Sequence, residues 1–210
     1  MANITVAQFR DVAGGLQPGQ FGIGDRVKIR GLSSLDPVYK ALLDRPITVT
    51  LGLIAPDGSV GLTPMWFDYE GDQVLVNTAS HRRKCDWIRK SPRFTILIVN
   101  PDNAYHWVQL KCSVDHEERE WEPGGERVTR QLDKIWTKYT GNPPPYGLRD
   151  PAIDEKRVLF VCNVDRIATS ASRRLPSGTT ARLLQVKTQC HPERSEGSMR
   201  ISMDPSLRSG

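Results

Sequence analysis

A run of basic side chains lies between two apolar segments of the chain and could bind an anion. Ser80 is followed by Arg82, Arg83 and Lys84, and the spacing over residues 80–91 predicts a helix with Ser80 as its N-cap. Cations in the first turn of a helix are unfavourable, because the N-terminus already carries partial positive charge. A phosphate group would relieve this repulsion and accept hydrogen bonds from free backbone N–H groups. Side chains that extend into solvent explain the same residues equally well.

The remaining reactive residue types form no pattern that predicts a catalytic centre. The acidic segment 115–122 is expected to be a solvated loop, and it lacks the second histidine of the zinc protease motif. No serine lies in a Gly-x-Ser-x-Gly setting. None of the four cysteines forms a Cys-x-x-Cys pair or lies at a metal-like spacing from a histidine. The sequence therefore predicts no metal site and leaves the catalytic residues unassigned.

The charge of the chain is unevenly distributed, and this argues against nucleic acid as a partner. Residues 1–165 contain 21 Lys and Arg and 21 Asp and Glu, whereas residues 166–210 contain 8 basic and 3 acidic residues. The net charge of +5 therefore belongs to the C-terminal segment, while a phosphate-tracking surface needs basic excess on the domain itself. No apolar run approaches the ~18 residues of a membrane span, and the N-terminus lacks a signal-peptide pattern. We expect a cytoplasmic protein that does not bind membranes.

Composition divides the chain into three segments. Residues 1–31 are rich in Gly and polar residues and are expected to form a flexible leader. Residues 32–172 contain the regular apolar patterns and are predicted to form the folded domain. Residues 173–210 are rich in Ser, Arg and Gly, and are expected to be a disordered basic tail.

Within the central segment, short β-branched runs alternate with turn signals and predict a mainly β fold. Asp36 and Pro37 mark the start of a first helix, and Asp57-Gly58 marks a hairpin. Short connections between successive strands favour antiparallel pairing. Pro64 cannot donate a ladder hydrogen bond, so its strand should be interrupted or lie at an edge. We predict six strands (47–54, 60–69, 73–78, 94–99, 106–115 and 157–170) and two or three flanking helices, two of which cover 80–91 and 125–141.

The order "TPMWFDYEGDQVLVNTASHRRKCDWIRKSPRFTILIVNPDNAYHWVQL", residues 63–110, resembles the flavin-binding split-barrel family that contains pyridoxamine 5′-phosphate oxidase. It is most similar to the branch that uses the deazaflavin coenzyme F-420. The resemblance extends over about residues 33–170. It implies a six-stranded antiparallel split β-barrel, the FMN-binding split barrel. One departure is Trp87, where relatives often have Asn.

The resemblance also implies a set of cofactor-binding residues. The strand that lies along the flavin ring would contain Leu62, Thr63, Pro64, Met65, Trp66 and Phe67. The cofactor phosphate would be held by Thr78, Ser80, Arg83 and Lys84. A neighbouring strand would reach the cofactor through His106 and Trp107.

The function implied by the resemblance is hydride transfer between coenzyme F-420 and a small organic substrate. The cofactor would be bound at the interface of a homodimer. Two alternatives remain open from the sequence. One is an FMN-dependent oxidase or reductase of the same fold, and the other is a non-catalytic carrier of a flavin, a deazaflavin or haem.

Overall fold

The computed structural model describes residues 3–9 and 23–171 of the chain. Within these ranges the chain forms three α-helices and a short 3₁₀ turn at Leu32–Ser34. The α-helices are α1 (Pro37–Asp44), α2 (Arg83–Lys90) and α3 (Glu126–Thr140). The strands are β1 (Ile4–Phe9), β2 (Ile23–Ile29), β3 (Val49–Ile54), β4 (Val60–Met65), β5 (Asp68–Glu70), β6 (Gln73–Ala79), β7 (Arg93–Asn100), β8 (Asn103–Arg119) and β9 (Arg157–Ala171). The predicted tail, residues 173–210, lies outside the described residues.

In the described part of the chain, the strands form one sheet in the order β2-β1-β9-β8-β7-β3-β4. Strand β6 pairs with β9 outside this path and also pairs with β5. All six predicted strands have a counterpart in β3, β4, β6, β7, β8 and β9. The predicted strand 60–69 is divided, because β4 ends at Met65 and β5 begins at Asp68. The sheet differs from the prediction in having nine strands rather than six. It is mixed rather than purely antiparallel, since β1 and β9 run parallel.

The N-terminal segment is the clearest departure from the predicted organisation. The flexible leader expected over residues 1–31 is wrong for residues 4–9 and 23–29, which form β1 and β2. Ile4 and Val6 are buried in the main core. The domain therefore begins before residue 32.

The solvated loop expected over the acidic segment 115–122 is wrong for residues 115–119, because β8 continues through Arg119. Glu117 and Glu118 lie opposite Phe160 and Leu159 of β9. The carboxylate of Glu117 pairs with Arg89 of α2, with its Oε1 atom 2.8 Å from Nη2 of Arg89. Backbone pairing and this ion pair together hold an acidic sequence in an extended strand.

Alternation along the strands separates two cores. The main core lies inside the barrel and contains Val74 and Val76 of β6. The side chain of Leu75 points to the opposite face, because successive side chains of a strand alternate. It packs there with Val128 of α3 and Leu159. Helix α3 therefore covers the outer face of β6 and β9.

Local signals at α1 and the first hairpin are confirmed. Oδ1 of Asp36 accepts a hydrogen bond from the backbone nitrogen of Val38 at 2.9 Å, so Asp36 caps α1. Gly58 has φ of +83° in the turn between β3 and β4. Strand β4 pairs with β3 and ends the described sheet order, which confirms the prediction that Pro64 lies on an edge strand.

Helix α2 starts later than predicted. Its N-cap is Arg82 rather than Ser80, and no side chain caps it. The backbone nitrogen of Ser80 instead donates to the carbonyl oxygen of Lys156 at 2.8 Å. Trp87 of α2 packs against Gly61 of β4, where a Cβ atom would lie 2.6 Å from Cζ3 of the indole. This contact positions α2 against the edge strand.

None of the described helices is long and apolar enough to cross a membrane.

Candidate functional site

A cavity of about 220 Å³ lies where the end of β4, the start of α2, helix α3 and the loop after α3 meet. Its walls are apolar on the side of α3 and basic on the side of α2. The residues that line it are Pro64, Met65, Trp66, Asn77, Arg82, Lys84, Leu132, Ile135, Tyr146, Leu148 and Arg157.

The wall formed by the edge strand is held in place by an aromatic residue of α3. The ring of Trp66 stacks on Tyr139 at a centroid distance of 5.0 Å and an interplanar angle of 13°. The Tyr139 hydroxyl accepts a hydrogen bond from the backbone nitrogen of Phe67 at 2.9 Å and donates one to the carbonyl oxygen of Ile47 at 2.7 Å. Strand β4 therefore ends at a fixed point beside the cavity.

The basic wall contains cations that no carboxylate neutralises directly. Among the described residues, neither Arg82 nor Lys84 forms an ion pair with Asp or Glu. Burial lowers the pKa of Lys84, and repulsion from Arg82 and Arg157 lowers it further. A lowered lysine pKa means that the charged form lacks compensation in the free protein. An anion in the cavity would supply it.

The loop after α3 forms the outer wall and is attached at two points. The backbone nitrogen of Tyr146 donates to Oδ1 of Asp133 at 2.8 Å. Nε1 of Trp136 donates to the carbonyl oxygen of Pro143 at 3.1 Å. The ring of Tyr146 also lies edge-on to Trp136. Tyr146 and Leu148 of this loop line the cavity.

Four of the residues predicted to bind cofactor line this cavity: Pro64, Met65, Trp66 and Lys84. Arg82 and Arg83 are both exposed, but only Arg82 is among the described residues that line the cavity.

Thr78 and Ser80 also lie outside the described lining of the cavity. Thr78 is 2% exposed and shares the inward face of β6 with Val74 and Val76. Its Oγ1 atom has no hydrogen-bond partner within the described structure. Asn77, on the outward face, lines the cavity instead. Strand alternation was the signal that could have identified Asn77.

The other residues of the predicted ring strand point elsewhere. Phe67 is 1% exposed and belongs to the main core. Thr63 donates its hydroxyl to the carbonyl oxygen of Pro64 at 3.2 Å. Leu62 is 70% exposed and lines a separate open groove of about 800 Å³ on the outer face of the sheet.

His106 and Trp107 are not brought to the cavity by the described structure. Nδ1 of His106 lies 3.1 Å from Nδ2 of Asn100, and its ring lies 6.0 Å from the ring of Tyr39. Trp107 lies opposite Val99 of β7. Both residues lie near the end of the β7–β8 hairpin, away from Lys84.

The cavity suits the phosphorylated end of a flavin-type cofactor, but it is too small for the complete cofactor. Uncompensated cations match a phosphate group, and an edge strand containing Pro64 provides an open backbone edge. The volume is below the ~300–1,000 Å³ typical of small-molecule sites. One subunit would therefore enclose only part of such a cofactor.

Comparison with known proteins identifies a family and a similar solved structure. A family model described as pyridoxamine 5′-phosphate oxidase matches residues 35–171. The solved structure of an F420 reductase is 22% identical, covers 63% of this chain and 98% of its own, and superposes with a TM-score of 0.53. This likeness confirms the predicted split-barrel fold class.

Two further solved structures are similar at lower TM-scores. A conserved hypothetical protein from Mycobacterium tuberculosis is 23% identical, with coverage of 67% of this chain and 91% of its own and a TM-score of 0.48. A haem storage protein from Vibrio cholerae is 10% identical, with coverage of 65% and 94% and a TM-score of 0.46. No curated protein was found to match the chain.

Proposed function

The chain belongs to the pyridoxamine 5′-phosphate oxidase family, and on this premise we propose that it is an oxidoreductase that transfers hydride between coenzyme F-420 and a small organic substrate. The observation that supports this most is the cavity beside β4. It combines the edge-strand residues Pro64 and Trp66 with the cations Arg82 and Lys84, as a planar ring with a phosphorylated arm would require.

In this proposal the basic wall binds the phosphate of the cofactor, and the edge strand orients the ring. Lys84 and Arg82 provide charge-assisted hydrogen bonds, with Arg82 taking the role expected of Arg83. The deazaflavin would supply two-electron hydride chemistry when bound, and the protein supplies binding, orientation and a low dielectric. Tyr146 and Leu148 provide an apolar surface on the loop after α3.

We further propose that the protein is a cytoplasmic homodimer and that a second copy completes the site. Three exposed apolar residues of β3 and β4 flank the 800 Å³ groove: Ile54 (43% exposed), Val60 (63%) and Leu62 (70%). An exposed apolar patch of this kind is typical of an interaction surface. The small volume of the cavity on one chain supports a cofactor that is shared between two.

FMN is the second candidate, because Arg82 and Lys84 could bind its phosphate in the same way. The haem carrier has less support, since no histidine or cysteine is found among the described residues that line the cavity.

The experiment is a titration of the purified protein with F-420 and with FMN, followed by fluorescence and by reduction of the bound cofactor in the presence of candidate acceptors. We expect F-420 to bind more tightly than FMN and to turn over. If only FMN binds tightly, FMN rather than F-420 is the cofactor. Tight F-420 binding without turnover with any acceptor would favour a carrier. Failure of both cofactors to bind would overturn the proposed function.

A further inference from the structure

Arg157, the first residue of β9, is a buried cation that the resemblance did not point to. Arg157 is only 6% exposed, yet it lines the cavity together with Lys84. Buried arginines are rare unless they are paired and hydrogen-bonded. The question is therefore which groups satisfy this guanidinium.

Two of its three nitrogens have partners in the protein. Nε donates to Oδ1 of Asn77 at 3.1 Å, and Nη1 donates to Oε1 of Glu155 at 2.7 Å. The guanidinium also lies over the ring of Tyr146, with Cζ 5.2 Å from the ring centroid. These contacts fix the plane of the group. Within the described structure, no hydrogen bond is formed by Nη2.

The charges around the cavity do not balance. Arg82, Lys84 and Arg157 line it, and none of its described lining residues is acidic. Glu155 compensates Arg157 alone. Arg157 also contributes to the lowered pKa of Lys84, so the two cations repel each other across this space. Two positive charges remain without a counter-charge.

We infer that Arg157 is a third anion-binding residue of this cavity, held in place by Asn77 and Glu155 so that Nη2 donates to a phosphate group. This inference deepens the proposed function, since the phosphate would belong to the bound cofactor. The fixed guanidinium offers a directed donor, while Lys84 offers a point charge. Together they favour an anionic group over a neutral one.

Two sources could supply this phosphate, and simple anions distinguish them. FMN ends in a phosphomonoester, which inorganic phosphate mimics, whereas F-420 contains a phosphodiester, which dimethyl phosphate mimics. Both anions are titrated calorimetrically into the full chain at constant ionic strength. The readout is anion affinity, so it does not depend on cofactor turnover.

The main variant is Arg157→Gln combined with Glu155→Gln, which removes the buried ion pair as a unit and leaves two neutral amides. We expect affinity for the better-bound anion to fall about tenfold or more, because a charge-assisted hydrogen bond is lost. Lys90→Gln is the matched control, since Lys90 is an exposed cation at the far end of α2, and it should retain wild-type affinity.

If the double variant does not fold, Arg157→Lys is the second variant, because lysine keeps the charge but lacks the planar fork by which Nε and Nη1 contact Asn77 and Glu155 while Nη2 remains available; affinity for the better-bound anion should fall here too, through loss of the directed donor. Unchanged anion affinity in whichever variant folds would overturn the inference, as would the absence of binding by either anion. The two proposals can fail separately. If F-420 binds but the Arg157 variant keeps wild-type phosphate affinity, this inference alone is wrong; if phosphate binding depends on Arg157 but neither cofactor binds, the proposed function alone is wrong.

Discussion

The hydroxyl oxygen of Tyr139 lies 2.9 Å from the backbone nitrogen of Phe67 and joins α3 to the point where the edge strand ends. The same hydroxyl donates to the carbonyl oxygen of Ile47. One side chain thus satisfies a donor and an acceptor of two separate backbone segments. Its ring also supports Trp66 at the cavity.

Replacement of Tyr139 by Phe should lower the free energy of unfolding by about 1–3 kcal/mol, because the backbone groups of Phe67 and Ile47 lose their partner. Chemical denaturation measures this difference. Tyr146→Phe is the control, since no hydrogen bond of the Tyr146 hydroxyl is found within the described residues, and it should change stability little. Equal stability of the two variants would contradict the role given to Tyr139.

Replacement of Lys84 by Ala should weaken binding of the cofactor by about 1–3 kcal/mol, through loss of a charge-assisted hydrogen bond. Fluorescence titration gives the dissociation constant. Lys90→Ala removes a cation from the opposite end of the same helix and should have a much smaller effect. Unchanged affinity in Lys84→Ala would count against a phosphate site at this position.

Arg82 and Arg83 provide a direct comparison between the structure and the sequence pattern. Arg82→Gln should weaken cofactor binding more than Arg83→Gln, because Arg82 lines the cavity and Arg83 does not. Both changes remove one positive charge from the same turn, so the two variants have the same net charge and differ only in which side chain is lost. A larger effect of Arg83→Gln would restore the assignment based on the resemblance.

Cofactor affinity should fall as pH rises toward the alkaline range. Burial places the pKa of Lys84 below its ordinary value of 10.5, and the phosphate favours the charged form. Affinity is therefore fully present below the pKa of Lys84 in the free protein and decreases as pH rises through it. Titrations between about pH 7 and pH 10 should show this decrease in the wild type but not in Lys84→Arg, which keeps its charge throughout.

The described cysteines should be unreactive in the native protein. Burial raises the pKa of Cys85 to about 11 and that of Cys162 to about 12, and it raises the pKa of Cys112 well above its usual value. The thiolate is the reactive form, so little of it exists at pH 8. In a Cys190→Ser background, a thiol reagent should label the protein only after denaturant is added. Rapid labelling of the native protein would show that the barrel opens readily.

Local sequence signals were sufficient for most elements of the fold. Apolar, β-branched runs bounded by turn residues located the six main strands, and Asp36 and Pro37 located α1, because each signal depends on neighbours in the sequence. Strand β1 was missed because it is a parallel partner of β9, and no local pattern indicates pairing with a segment more than 150 residues away. The acidic end of β8 was missed for another reason: its charged residues have no strand pattern of their own and are held by antiparallel pairing with β9 and by ion pairs.

In the candidate site, too, some residues could be assigned from the sequence and others only from the fold. The resemblance placed Pro64 and Lys84 in one cofactor site, and both residues line the described cavity. It did not assign Arg82, Asn77 or Arg157. Arg157 reaches Asn77 through the pairing of β9 with β6, which no local pattern of the sequence indicates.

The contact of Trp87 with Gly61 has a consequence for how this family can vary. A Cβ atom at position 61 would lie 2.6 Å from Cζ3 of the indole at position 87, so a side chain there would require the tryptophan to shift. In relatives with a smaller residue in place of Trp87, the facing position on the edge strand is free to accept a larger one. We expect these two columns to covary among homologues, with glycine retained wherever the tryptophan is.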